Sequence, residues 1–109
     1  MSDEPPVNLG NLLQTAQRMQ KEIGRVQESL AKMTVEGSAG GGMVVVVANG
    51  RQQVLSVRME PAIVDPSEVE MLQDLVVAAA NQALAKAAEL AQQEMAKVTG
   101  GMINIPGLA

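Results

Sequence analysis

Between residues 8 and 33, apolar side chains recur at steps of three and four without a break: Leu9, Leu12, Ala16, Met19, Ile23, Val26, Leu30 and Met33. This is a heptad pattern held over about four heptads, with Leu9, Ala16, Ile23 and Leu30 at a and the other four at d. It predicts one helix over residues 8–33, about 39 Å long at ~1.5 Å per residue. Asn8 precedes the first apolar position and suits an N-cap. Gly24 falls at b, off the seam, so packing does not require it. A rod of this length outruns any core that 109 residues can build, so part of it should project.

The core has few large side chains to draw on. Phe, Tyr, Trp, Cys and His are all absent, which leaves Val, Leu, Ile, Met and Ala to do the packing. Such a core is thin for a monomer, so burial should be completed by a second chain. The missing residue types also narrow the chemistry. Without Cys there is no disulfide or thiolate metal site. Without His, the commonest general base and metal ligand is gone. No cofactor, small-molecule substrate or catalytic activity is expected.

After residue 33 the period changes from helix to strand. Residues 34–36 suit a short strand and residues 37–42 a glycine-rich turn, followed by a β-branched run through Val44, Val45, Val46 and Val47. Asn49-Gly50 reads as a two-residue hairpin turn, because both residue types tolerate positive φ. Residues 51–60 then alternate, giving a three-stranded antiparallel meander. The valine run does not alternate, so it should be buried on both faces. One face suits the chain's own helices. The other suits a second copy, which makes Val44, Val45, Val46 and Val47 the expected dimer interface.

Asp65, Pro66 and Glu68 sit as N-cap, N1 and N3 of a second helix, expected over residues 66–98 with an alanine-rich apolar face and an end at Gly100-Gly101. The fold class is therefore α+β: long helix, three-stranded antiparallel sheet, long helix. Residues 1–7 read as a disordered leader, residues 8–99 as one domain, and residues 100–109 as an apolar tail. The N-terminus does not resemble a signal peptide, and no run approaches a membrane span, so the expected compartment is the cytoplasm.

Charge is segregated. The chain nets −4, but residues 8–33 carry Arg18, Lys21, Arg25 and Lys32 against Glu22 and Glu28, a local excess of two positive charges. Arg18, Arg25 and Lys32 repeat at c and Lys21 sits at f, so all four share the face away from the seam. The stripe spans roughly 21 Å at ~1.5 Å per residue, enough to touch several phosphates. Read from the residues alone, it also fits an ordinary solvated coiled-coil face, since Glu28 interrupts it. Without aromatic rings, stacking on single strands is excluded and duplex is the better substrate. The glycine stretch is no phosphate loop: it opens a strand, not a helix, and no Lys-Ser/Thr follows. Asp65, Glu68 and Glu70 are explained by capping and surface charge, and Arg58 by pairing with a neighbouring carboxylate.

Several segments together resemble the YbaB/EbfC family. They are Asn11-Leu12-Leu13, Ala16-Gln17-Arg18-Met19-Gln20, Val35-Glu36-Gly37, Asn49-Gly50, Asp65-Pro66, Met71 onward to Ala83, Gly100-Gly101-Met102 and Pro106-Gly107-Leu108. The resemblance spans roughly residues 8–108. It implies a nucleoid-associated homodimer joined through its sheets, with helices projecting as tweezer arms around duplex DNA. Phosphate contacts would come from Arg18, Lys21, Arg25 and Lys32. Arg51, after the hairpin, and Lys97, at the far end of the second helix, stand behind them. One departure is the wholly apolar run at residues 44–47, where relatives alternate with charged residues or Thr; it argues against DNA contact from that strand. The rival reading is a protein–protein adaptor whose heptad seam clasps a partner helix.

Overall fold

The computed structural model describes residues 8–103, with side chains through residue 98; the expected leader and the end of the expected tail lie outside the described residues. The order is α1 (Leu9–Lys32), β1 (Thr34–Ala39), β2 (Val44–Asn49), β3 (Val54–Met59), two short 3-10 turns (Pro61–Ile63 and Pro66–Glu68) and α2 (Val69–Ile103). The strands form one antiparallel sheet in the order β1-β2-β3. This is the expected α+β architecture.

Local chemistry sets the boundaries. Asn8 Oδ1 accepts from the Gly10 and Asn11 amides at 3.0 and 3.3 Å, which satisfies the first donors of α1. The Met33 amide donates back to the Ser29 and Leu30 carbonyls and closes the helix. Asp65 Oδ1 accepts from the Ser67 amide and hydroxyl, so the expected cap is present. It caps a 3-10 turn that leads into α2, not α2 itself. Those two bonds, the amide first, hold the Asp65 carboxyl below the usual carboxylate range.

Four expectations change in detail. β1 continues past Glu36 to Ala39, and the turn shrinks to residues 40–43, with Gly40, Gly41 and Gly42 all at positive φ. Gly37 lies within the strand, and it is glycine because the backbone of α2 at Ala79 and Ala83 occupies the place of a Cβ. Asn49-Gly50 is not the hairpin turn. β2 ends at Asn49, and the positive φ belongs to Gln52 (59°). α2 runs through Gly100 and Gly101 to Ile103, since glycine weakens a helix without forbidding it. Arg58 makes no ion pair among the described residues; it lies across from Val45.

Asn49 has a different job. It is almost fully buried, and its amide group donates to the Ala31 carbonyl at 3.3 Å and to Gln53 Oε1 at 2.8 Å. Its Oδ1 accepts from the Arg51 and Gln53 amides. The Gly50 amide donates to the Leu30 and Met33 carbonyls, and a Cβ there would sit 2.6 Å from Leu30 Cδ2. The pair thus welds the hairpin to the foot of α1.

The core lies between α2 and one face of the sheet. Ala79, Ala83 and Ala87 lie against Val44, Val46, Ala48 and Ile63, all buried. Alanine at these positions lets the helix backbone approach the sheet closely. α2 covers β1 and β2 and leaves β3 largely bare: Val54, Leu55, Val57 and Met59 are all exposed. A bulge opposite Val47 and Ala48 makes Leu55 the extra residue of β3. At the other edge, α2 side chains occupy the unpaired backbone of β1. Gln82 Oε1 accepts from the Ser38 amide at 2.7 Å, and Lys86 Nζ donates to the Glu36 carbonyl at 3.0 Å.

Past the sheet, α2 runs on beside α1. Gln52 Nε2 reaches the Leu84 carbonyl at the hairpin, and residues Glu94 to Val98 flank residues 18–29 of α1. The two helices make an antiparallel arm, and the principal extents are 81 × 27 × 16 Å. Among the described residues no helix is long and apolar enough to cross a membrane.

Candidate nucleic-acid interface

The arm carries most of the cations singled out by the heptad. Asn49 and Gly50 fix the foot of α1 on the sheet, and the half-buried Met19, Ile23 and Val26 hold its middle against α2. The c and f positions lie off that seam. Arg18, Lys21, Arg25 and Lys32 are all exposed.

Their partners differ. Arg25 Nη2 donates to Glu22 Oε2, one turn back on α1. Lys97 Nζ pairs with Glu94 Oε1 at 2.9 Å on α2. The Arg25 and Lys97 side chains remain 73% and 72% exposed, so each pair is a surface i,i+3 contact worth roughly 0.3–0.5 kcal/mol. An incoming phosphate could displace either carboxylate at that cost. Arg18, Lys21, Lys32 and Arg51 make no ion pair among the described residues.

Arg18, Arg25 and Lys97 line one groove between the arm helices, together with Glu22, Glu94, Met19, Val26, Ser29 and Val98. With three cations and two carboxylates, its interior is close to neutral. The stronger positive surface lies outside it, where Arg18 and Lys21 border a shallow hollow with Gln14, Gln17 and Gln20. Lys32 lies in the last turn of α1, and Arg51 follows Gly50, so both stand at the foot of the arm. The structure therefore brings Lys97 beside the first helix, spreads Arg18, Lys21, Arg25 and Lys32 along α1, and leaves Arg51 on the hairpin at its foot. This arrangement can bind a row of anions; it assembles no nucleophile with a base.

The valine run divides by face. Val44 and Val46 are fully covered by the chain's own α2, so they have no surface to offer a second copy. Val45 is buried and Val47 half-buried on the opposite face. Sequence reasoning did not find the apolar side of β3 as uncovered surface, nor Gln82 and Lys86 as the guards of β1. The second had a signal: both flank the alanine stripe at i,i+4 spacing.

Comparison with known proteins agrees with this architecture. The model of the YbaB/EbfC DNA-binding family matches residues 5–102. A nucleoid-associated protein of Acetivibrio thermocellus is 54% identical over 101 residues, covering 93% of this chain and 89% of the relative. Another, from Syntrophobacter fumaroxidans, is 57% identical over 98 residues, covering 90% and 88%. In structure, the chain is similar to the uncharacterized protein HP0035 of Helicobacter pylori, with a TM-score of 0.68 at 18% identity over 90% of this chain and 99% of that one. The match in fold, the extent of the family model and the identity to these relatives together place the chain: it belongs to the YbaB/EbfC DNA-binding family.

Proposed function

We propose that the protein is a nucleoid-associated component that binds duplex DNA as a homodimer, through phosphate contacts, in an architectural or regulatory role and without catalysis. The observation that carries this reading is the exposure of Arg18, Lys21 and Lys32, without an ion pair among the described residues, on a helix that stands clear of the sheet. Arg25 and Lys97 join them once their surface carboxylate partners yield, and Arg51 adds a contact at the foot. Contacts of this kind position a duplex and carry little sequence information.

Two arms are needed to hold a duplex, and the sheet supplies a place to join them. The exposed apolar residues of β3, Val54, Leu55, Val57 and Met59, are the surface a second copy would cover, with the half-buried Val47 on the opposite face of the sheet. The β1 edge is occupied by Gln82 and Lys86, which favours joining on the β3 side.

The test is the double reversal Arg18→Glu with Lys21→Glu. It should abolish gel retardation of a duplex while sedimentation still reports a dimer. Unchanged retardation would refute the assignment and favour a protein-clasping role for the exposed Leu9, Leu12 and Leu13. A monodisperse monomer would refute the dimer.

A further inference from the structure

The seam of α1 is covered in a gradient. Leu30 is 1% exposed and Val26, Ile23 and Met19 are half-buried, yet Leu12 and Leu9 stand 54% and 71% exposed, with Leu13 beside them. The cover comes from α2, which runs antiparallel to α1 and brings Val98 to the groove that Met19 and Val26 also line. In an antiparallel pair, each heptad climbed on α1 is matched by one further heptad of α2. With Val98 taken as level with Met19, Leu12 falls level with position 105 and Leu9 with position 108, where the sequence has Ile105 and Leu108.

The reach is sufficient. α2 is helical to Ile103, two residues or about 3 Å short of the level of Leu12 at ~1.5 Å per residue. Leu9 lies about 8 Å from the same point on that measure. Residues 104–109 can span up to roughly 20 Å when extended. They include no charged side chain, which suits an apolar seam, and Pro106-Gly107 allows the chain to leave the helical path and turn across α1.

We propose that residues 104–109 dock on the tip of α1 of the same chain, with Ile105 against Leu12 and Leu13 and Leu108 against Leu9. The segment would complete the heptad seam that α2 leaves open. This assignment does not depend on DNA binding.

The absence of Cys makes a direct test available. In the full chain carrying Leu12→Cys and Leu108→Cys, mild oxidation should give a disulfide within one chain, mapped by peptide mass spectrometry. Its rate should be independent of protein concentration, as for a tethered pair. A control with Leu55→Cys and Leu108→Cys should react far more slowly. Crosslinking no faster than the control would overturn the proposal. So would a disulfide between two chains, which would assign the segment to the partner's arm. Hydrogen exchange needs no cysteine and keeps the idea falsifiable if the paired variant fails to fold. Deleting residues 104–109 should speed exchange several-fold at residues 9–16 and leave residues 23–30 unchanged; equal exchange at both would overturn it.

Discussion

Gly37 and Gly24 are both glycines inside regular elements, and they should respond to the same substitution in opposite directions. A Cβ on Gly37 would meet the α2 backbone at Ala79 and Ala83, which cannot swing aside as a side chain would. Gly37→Ala should cost about 3 kcal/mol or more, at the upper end for overpacking. Gly24 has nothing within 4 Å of its Cβ position. Gly24→Ala should stabilise by up to ~1 kcal/mol, the helix-propensity difference. Urea midpoints of the two variants check both signs at once. Asn49 shows where residue-level reading stops. Its turn propensity is visible in the sequence, but its partner, the Ala31 carbonyl, is 18 residues away, and no local pattern records that bond. The same holds for Val44 and Val46. Their apolar character was legible, but the chain that buries them was not, because a strand pattern says how much cover is needed and not whose.

Among the elements, the two helices were readable because heptad spacing and capping residues are local. Helix ends were less so: Gly100-Gly101 looked like a stop, and α2 passes through it. Entry into α2 depends on Asp65, whose carboxylate accepts from the Ser67 amide and hydroxyl. Its folded pKa lies below the unfolded value of about 3.9. The bonds to the charged form therefore stabilise the fold above that value and fade as pH falls through the folded one. Asp65→Asn keeps a capping oxygen and removes the titration. The wild type should hold an advantage over the variant in urea unfolding at pH 7, and that advantage should shrink once the pH falls below the usual carboxylate range. A gap that does not change as the solution is acidified would contradict the assignment. At the scale of the arm, the proposed phosphate contacts would draw less from Arg25 and Lys97, which sit in i,i+3 pairs, than from Arg18 and Lys21. Arg25→Gln should accordingly weaken duplex affinity less than Lys21→Gln, measured under one salt condition.

The whole molecule is elongated, 81 Å in its longest extent, and its charge is segregated. An acidic chain carries a locally basic arm, and net charge alone would have hidden it. The tie between arm and sheet gives those cations a fixed row, and the proposed joining of two copies at the bare side of β3 would set two such rows together. The stripe itself was legible from spacing, because helical periodicity decides which residues share a face. Which cations keep an ion pair was not, since rotamers and the approach of α2 settle it. The central claim is that the row grips phosphates, and salt dependence of duplex affinity tests it most directly. If a dimer engages about four phosphates, log K should fall against log salt with a slope of about −3.6, roughly a hundredfold loss between about 50 and 200 mM. An affinity that does not change with salt would contradict the account.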